Sequence, residues 1–420
     1  MCSRQAGILW QRLAYSNGRP RTKGFTVAHS NSSSRGQSFP SSSNAGVGIW
    51  PGLSAWRNAP VDEGTWWRER EPSYLGISPE SESPQATEYV DKRRAVAKDI
   101  EAMSFSSLAE YGQQVLHTSC PVTKACLSHK AWREFSESNF PIGKSQAPDI
   151  PSRPAKPELV PARRIPKMKE SDLPPSAYML HNLAHVELNA IDLAWDTVVR
   201  FSDLEFPERF YADFARVADD ESRHLCWCLQ RLAELGYKYG DMPAHNLLWE
   251  GCIASASDVR ERLAVVPMSQ EARGLDAGGR LAERLVGMGD NVSAAIVSRI
   301  AEEEQAHVAV GVFWFRAICE VQGEDSRTLF LNTLADLCPD LLKGPFNHTA
   351  RQGVGLPHDW YDETVWDEGI RHKMEDARQR RKSSAAIVRS SRSPLASHEL
   401  DLAKVRDRLS SMLEMEVAMS

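Results

Sequence analysis

Two copies of one short pattern restrict what this chain of 420 residues can become. Glu221-Ser222-Arg223-His224 and Glu304-Gln305-Ala306-His307 each place a histidine three residues after a glutamate. Residues three apart share one face of a helix, so each pair can grip an ion from a single turn. A lone copy would be an ordinary solvated face. Two copies on separate helical segments match the dinuclear carboxylate bundles, where two helices carry Glu-x-x-His and two others carry one glutamate each. The expected fold is therefore all-α, built around four helices.

Those helices are expected over 175–201, 207–235, 258–275 and 290–321. Gly236 and Gly323 stop the second and fourth, and Asp258 caps the third. The third passes Pro267 and is expected to loosen at Gly274, Gly278 and Gly279. The first helix offers Glu187 among Leu183, Ala184, Ala190, Ile191 and Ala194, and the third offers Glu271 beside Pro267, Met268, Gly274 and Leu275. A carboxylate on an apolar face is costly unless it is paired or bound to metal. Glu187 and Glu221 are 34 residues apart, and Glu271 and Glu304 are 33 apart. Two hairpins of such similar reach bring their ligands to one level, related by a pseudo-twofold axis. Asp220 and Glu303, four residues before their histidines, compete with Glu221 and Glu304 as ligands. His185 is turned about 200° from Glu187, so it and His181 read as packed or hydrogen-bonded histidines.

Carboxylates and imidazoles suit divalent iron or manganese, whereas a structural zinc site favours thiolates. Four carboxylates balance two divalent ions and leave positions open for oxygen. The expected cofactor is a pair of metal ions, iron with manganese as the alternative. The expected activity is a dioxygen-activating oxidoreductase that oxidises or hydroxylates a small-molecule or nucleoside substrate. An external electron donor is implied, because no flavin or nicotinamide motif is present. The alternative is a non-catalytic iron store or oxidative-stress protein. The eight cysteines are scattered without a C-x-x-C pair, which argues against a zinc ribbon. A formal net charge of -6 supplies no overall basic field for nucleic acid. No apolar run of about 18 residues exists to cross a membrane.

The organisation expected along the chain begins with a disordered or targeting extension over 1–86. Asp and Glu are absent before position 62, while arginines and serines are frequent. That is the composition of an organelle transit peptide, mitochondrial or plastid, with the cytoplasm as the alternative. A helical region over 87–140 follows, then a proline-rich linker over 141–174, the bundle over 175–355, and a C-terminal tail over 356–420. The tail contains the basic run 378–382 and ends in an amphipathic helix marked by Leu400, Leu402, Val405, Leu409 and Leu413.

Several blocks resemble one family in the right order: 153–161 (RPAKPELVP), 184–194 (AHVELNAIDLA), 217–224 (VADDESRH), 239–249 (YGDMPAHNLLW), 263–276 (LAVVPMSQEARGLD) and 303–311 (EEQAHVAVG). This is the ferritin-like family catalogued as domain of unknown function 455, and the resemblance covers roughly 108–355. It implies a ferritin-like four-helix bundle with an additional N-terminal helical region. It also implies Glu187, Glu221, His224, Glu271, Glu304 and His307 as the metal ligands. Near the last site the family pattern is closer to Asp-Glu-Val-x-His, so Gln305 departs from it. A di-iron hydroxylase acting on a modified tRNA adenosine is similar in fold, which implies oxygenation chemistry without naming a substrate.

Overall fold

The computed structural model describes residues 50–59, 83–384, 405–411 and 413. Helix α1 (Leu53–Asn58) is followed by α2 (Pro84–Glu101), α3 (Leu108–His117) and α4 (Pro121–Glu137). Ser83 starts α2 by accepting the amide of Ala86, with Pro84 at the first helical position. Ser107 does the same for α3 through Glu110, whose carboxylate accepts the amide of Ser106 in return.

The central body is α5 (Pro175–Arg200), α6 (Glu208–Glu234), α7 (Leu247–Ala254), α8 (Val259–Val265), a π-helical turn (Val266–Glu271), α9 (Ala272–Gly287) and α10 (Asn291–Gln322). Helix α5 packs along α6, and α9 along α10, so two hairpins face each other through α6 and α10. Gly236 (φ 83°) and Gly323 (φ 71°) close α6 and α10 in the left-handed conformation, as expected. The third helix differs from its expected end. It runs on to Gly287 because Gly274 and Gly278 serve close packing. A Cβ on Gly278 would lie 2.5 Å from the Cβ of Ala301 in α10.

Pro267 is accommodated by the π turn. Proline lacks the amide that a regular helix needs, and a π-bulge spreads the backbone where the ladder is interrupted. Ser269 Oγ donates to the carbonyl of Ala264, five residues back, at 2.7 Å. The ring of Pro267 packs onto Gly311 of α10, where a Cβ would come within 2.5 Å of it.

The proline-rich segment 141–174 lies along the body as a strap. Arg153 pairs with the buried Asp192 of α5 at 2.8 Å, and Lys124 of α4 reaches the same carboxylate. The backbone of Val160 donates to Ala244, and that of Ala244 to Glu158. Buried residues from Ala97 to Leu409 form one continuous hydrophobic cluster.

The C-terminal segment also packs. Helices α11 (Ser326–Leu337), α12 (His348–Gly353), α13 (His358–Tyr361) and α14 (Glu368–Ser384) follow α10. Trp360, Tyr361, Trp366 and Met374, in the stretch expected as a tail, are buried. The basic run begins inside α14. Arg378 donates to the carbonyls of Pro339 and Leu342, and Arg381 to that of Leu337. Arg381 thus satisfies a carbonyl left open at the end of α11, and Arg378 those of the loop that follows. Val405 and Leu409 are buried and Leu413 is half-buried, whereas Leu400 and Leu402 lie outside the described residues. The organelle-address reading likewise falls almost wholly outside them. The stretch 50–59 within the expected extension is packed: Trp50, Leu53 and Trp56 rest on the core. No described helix is long and apolar enough to cross a membrane.

Candidate metal centre

Helices α5, α6 and α10 bring Glu187, Glu221, His224 and Glu304 together. One donor atom from each lies within 4.8 Å of all the others, and all four residues are buried. His307 joins through Nδ1, which is 2.9 Å from Glu221 Oε1 and 3.8 Å from Glu304 Oε2. His224 Nδ1 lies 3.3 Å from Glu187 Oε2 and 3.4 Å from Glu221 Oε2. Glu221 thus sits between the two imidazoles, whose rings are 5.8 Å apart. Glu271, at the end of the π turn, stands outside the tight group, although the charges of Glu221 and His307 act on its carboxyl.

Both oxygens of Glu187, Oε1 of Glu221 and Nδ1 of His307 make no hydrogen bond of regular geometry despite their burial, and the contacts they have are ion-pair approaches within the cluster. Buried charged groups held only by one another are costly unless the pairing is very good. Here the atoms converge on a shared space. Gly274 helps to keep that space open, since a Cβ there would come within 3.3 Å of Glu304 Cγ and Oε2.

The outer nitrogens of the histidines are held crosswise. His224 Nε2 of α6 is 2.9 Å from Glu303 of α10. His307 Nε2 of α10 is 3.4 Å from Asp220 of α6. Arg223 bonds both of these carboxylates, reaching Asp220 at 2.7 Å. Asp220 and Glu303, weighed as rival ligands from the sequence, therefore occupy a different position. Each fixes the ring of the histidine on the facing helix and leaves Nδ1 directed inward, the usual office of an outer carboxylate beside a metal-binding histidine. The signal was available: an acidic residue precedes each glutamate, so the repeated unit is acid-Glu-x-x-His.

A further contact was not foreseen. The indole N–H of Trp56 donates to Asp220 Oδ2 at 3.0 Å. Arg57 pairs with the buried Asp213 at 2.7 Å, and Arg216 stacks over Trp56. Other charged residues near the motifs are engaged elsewhere. Asp219 meets His129 at 2.9 Å, and Asp276 takes Arg273 at 3.1 Å and Arg351 at 2.7 Å. His185 is held by Tyr239 and the carbonyl of His245, and His181 accepts the amide of Gly240. Burial pushes His181 down to about 4 and holds His185 well below the usual histidine range. Gln305, the departure from the family pattern, donates to the carbonyl of Glu302.

The electrostatics show acids crowded together. Burial, then Glu221, pushes Glu187 up to about 8. Glu271 is pushed up to about 8 by the same two causes in the same order. Burial and Glu221 hold Glu304 well above the carboxylate range. Glu221 goes the other way: burial raises it, but His307 and His224 outweigh burial and hold it low. Burial disfavours charge on both histidines, yet the carboxylates around them win and hold both well above their ordinary range. The cluster neutralises itself with retained protons that a divalent cation would replace.

Fold and site define an all-α bundle protein with a buried carboxylate–imidazole cluster able to take metal. The chain belongs to the family described as protein of unknown function (DUF455), which residues 117–362 match. It is 36% identical over 220 residues to an uncharacterized protein of Haemophilus influenzae, covering 50% of this chain and 76% of that one. No solved structure matches the chain.

Proposed function

We propose that the bundle is ferritin-like and that Glu187, Glu221, His224, Glu271, Glu304 and His307 hold two divalent ions, iron or manganese. The observation that carries this reading is the convergence of buried ligand atoms from Glu187, Glu221, His224 and Glu304 within 4.8 Å of one another, several of them without a regular hydrogen bond. The donor chemistry agrees, because oxygen and imidazole nitrogen without thiolate suit those metals. Two reduced ions at such a centre would supply electrons to dioxygen for oxidation or hydroxylation of a substrate, and the protein is accordingly read as an oxidoreductase. Within the protein, Asp220 and Glu303 orient the imidazoles, Arg223 offsets the charge of those two carboxylates, and Gly274 leaves room for Glu304. Electrons would come from a separate donor protein.

The test is metal content and dioxygen uptake of the full-length protein. About two ions per chain, lost in His307→Ala, with dioxygen consumed by the reduced form, is the expected result. Metal bound without dioxygen uptake under any reductant would turn the reading to an iron store. No metal bound after reconstitution would end it.

A further inference from the structure

A second group of metal-ligand side chains lies outside the buried cluster. His348 is the first residue of α12, His358 is the first of α13, and Asp362 ends α13 and caps the 3-10 turn Glu363–Val365. One donor atom from each lies within 4.8 Å of the other two. We propose that these three side chains form a mononuclear site for a zinc-class divalent ion, with water completing the coordination.

The geometry is prepared from both sides. Asp362 Oδ1 accepts the amide of Thr364 at 2.9 Å, which fixes the carboxylate and leaves Oδ2 facing the histidines. His358 Nε2 is 2.7 Å from that oxygen and His348 Nε2 is 3.6 Å from it. Ligand atoms around a tetrahedral zinc stand about 3.4 Å apart, from bond lengths of roughly 2.0–2.2 Å. The two observed separations bracket that value. The imidazole rings are 4.2 Å apart between centroids, so they already share one approach.

The hydrogen bond on the far side of His348 points the same way. Its Nδ1 lies 3.0 Å from the hydroxyl of the buried Tyr361. The tyrosine oxygen can accept from Nδ1–H, the tautomer in which Nε2 offers its lone pair to a metal. A ligating histidine commonly shows this arrangement, with its other nitrogen donating to a fixed oxygen. The side chains of the two histidines are 49% and 48% exposed, against 10% for Asp362, so solvent reaches the imidazole side of the site. Two imidazoles and one carboxylate make three protein ligands with an open position, a set that zinc accepts.

The site would tie three short elements into one corner. That corner is already anchored to α9, where Arg351 of α12 bonds Asp276 and the amide of Asn347 donates to the same carboxylate.

The experiment is a zinc titration of the full-length protein against a chromophoric chelator. The wild type is run beside His348→Asn, His358→Asn and Tyr361→Phe, with His372→Asn, an exposed histidine on α14, as control. Both site histidines are half exposed, so their variants keep the fold, and circular dichroism checks this. The expected result is one fewer tight zinc per chain in each site-histidine variant, read as at least a hundredfold weaker binding. Tyr361→Phe should weaken the same ion about tenfold, and the control should match the wild type. Equal zinc count and affinity in wild type, His348→Asn and His358→Asn would overturn the proposal. So would an equal loss in His372→Asn.

Discussion

Replacing Glu303 by Gln tests whether the crosswise carboxylates position the metal-binding face of the histidines. Glu303 Oε2 lies 2.9 Å from His224 Nε2, whereas the equivalent contact of Asp220 to His307 is 3.4 Å. The shorter contact should carry more of the positioning. Loss of an outer partner of a metal-binding histidine typically lowers affinity 10- to 100-fold, or about 1.4–2.7 kcal/mol. Glu303→Gln should fall near the upper end of that range and Asp220→Asn near the lower. The glutamine keeps size and shape, but its amide can donate to Nε2 and so favour the tautomer whose proton sits on Nδ1, the inward nitrogen. The variant removes one negative charge, but Arg223 keeps Asp220 as a partner and Arg299 keeps Glu302. Competition titration of iron(II) or manganese(II) against a chelator measures the change, with circular dichroism as the check on folding. Affinity within twofold of wild type in Glu303→Gln, alongside loss in His224→Gln, would refute the argument. The Nε2 contact would then be incidental to the ligand face.

Three other outcomes are expected. Glu187 and Glu271 rise from 4.5 to about 8 in the metal-free protein, so the stability they contribute is fully present below about pH 4.5 and is lost as pH rises through 8. Each such proton contributes up to about 1.4 kcal/mol per pH unit in that window, and the Tm gain on adding metal should therefore grow from about pH 5 to pH 8 and level off above it; a constant gain would count against retained protons. Gly278→Val should destabilise by about 1–3 kcal/mol in urea unfolding, because its Cβ meets Ala301 at 2.5 Å; an unchanged midpoint would contradict the close approach of α9 and α10. Arg57→Ala should destabilise by about 1–3 kcal/mol, since it leaves the buried Asp213 with only the indole N–H of Trp314, and Asp213→Asn in the same chain should recover part of the loss.

What the sequence revealed and what it hid follow from the range of each signal. Periodicity and terminal glycines are local, so α5, α6 and α10 were legible to within a residue or two. The Glu-x-x-His spacing was legible for the same reason, and the structure gathers Glu187, Glu221, His224 and Glu304, with His307 in contact with Glu221. The third helix was misjudged at its end because glycine has two uses. At Gly236 it permits a left-handed turn, and at Gly278 it admits a neighbouring helix. Only the neighbour distinguishes them. The crosswise pairing of Asp220 and Glu303 depends on which helices face each other, which no single helix encodes. Trp56 and Arg57 were hidden in a stretch whose average composition is that of a leader, because averaging conceals two residues with specific partners. Within the expected tail over 356–420, polar α14 gave little sign that Arg378 and Arg381 would bond carbonyls at and beyond the end of α11.

The docked segment 50–59 lies wholly outside residues 117–362, the part of the chain that matches the family. Its indole nevertheless bonds the carboxylate that orients His307. The environment of the cluster thus draws on two stretches of chain, the bundle that matches the family and a short leading helix that covers part of the core and pairs with Asp213 and Asp220 of α6. Relatives with the same ligands but another leading segment would present a different wall at Asp220, and a shortened chain beginning at residue 83 would report on the cluster without that wall.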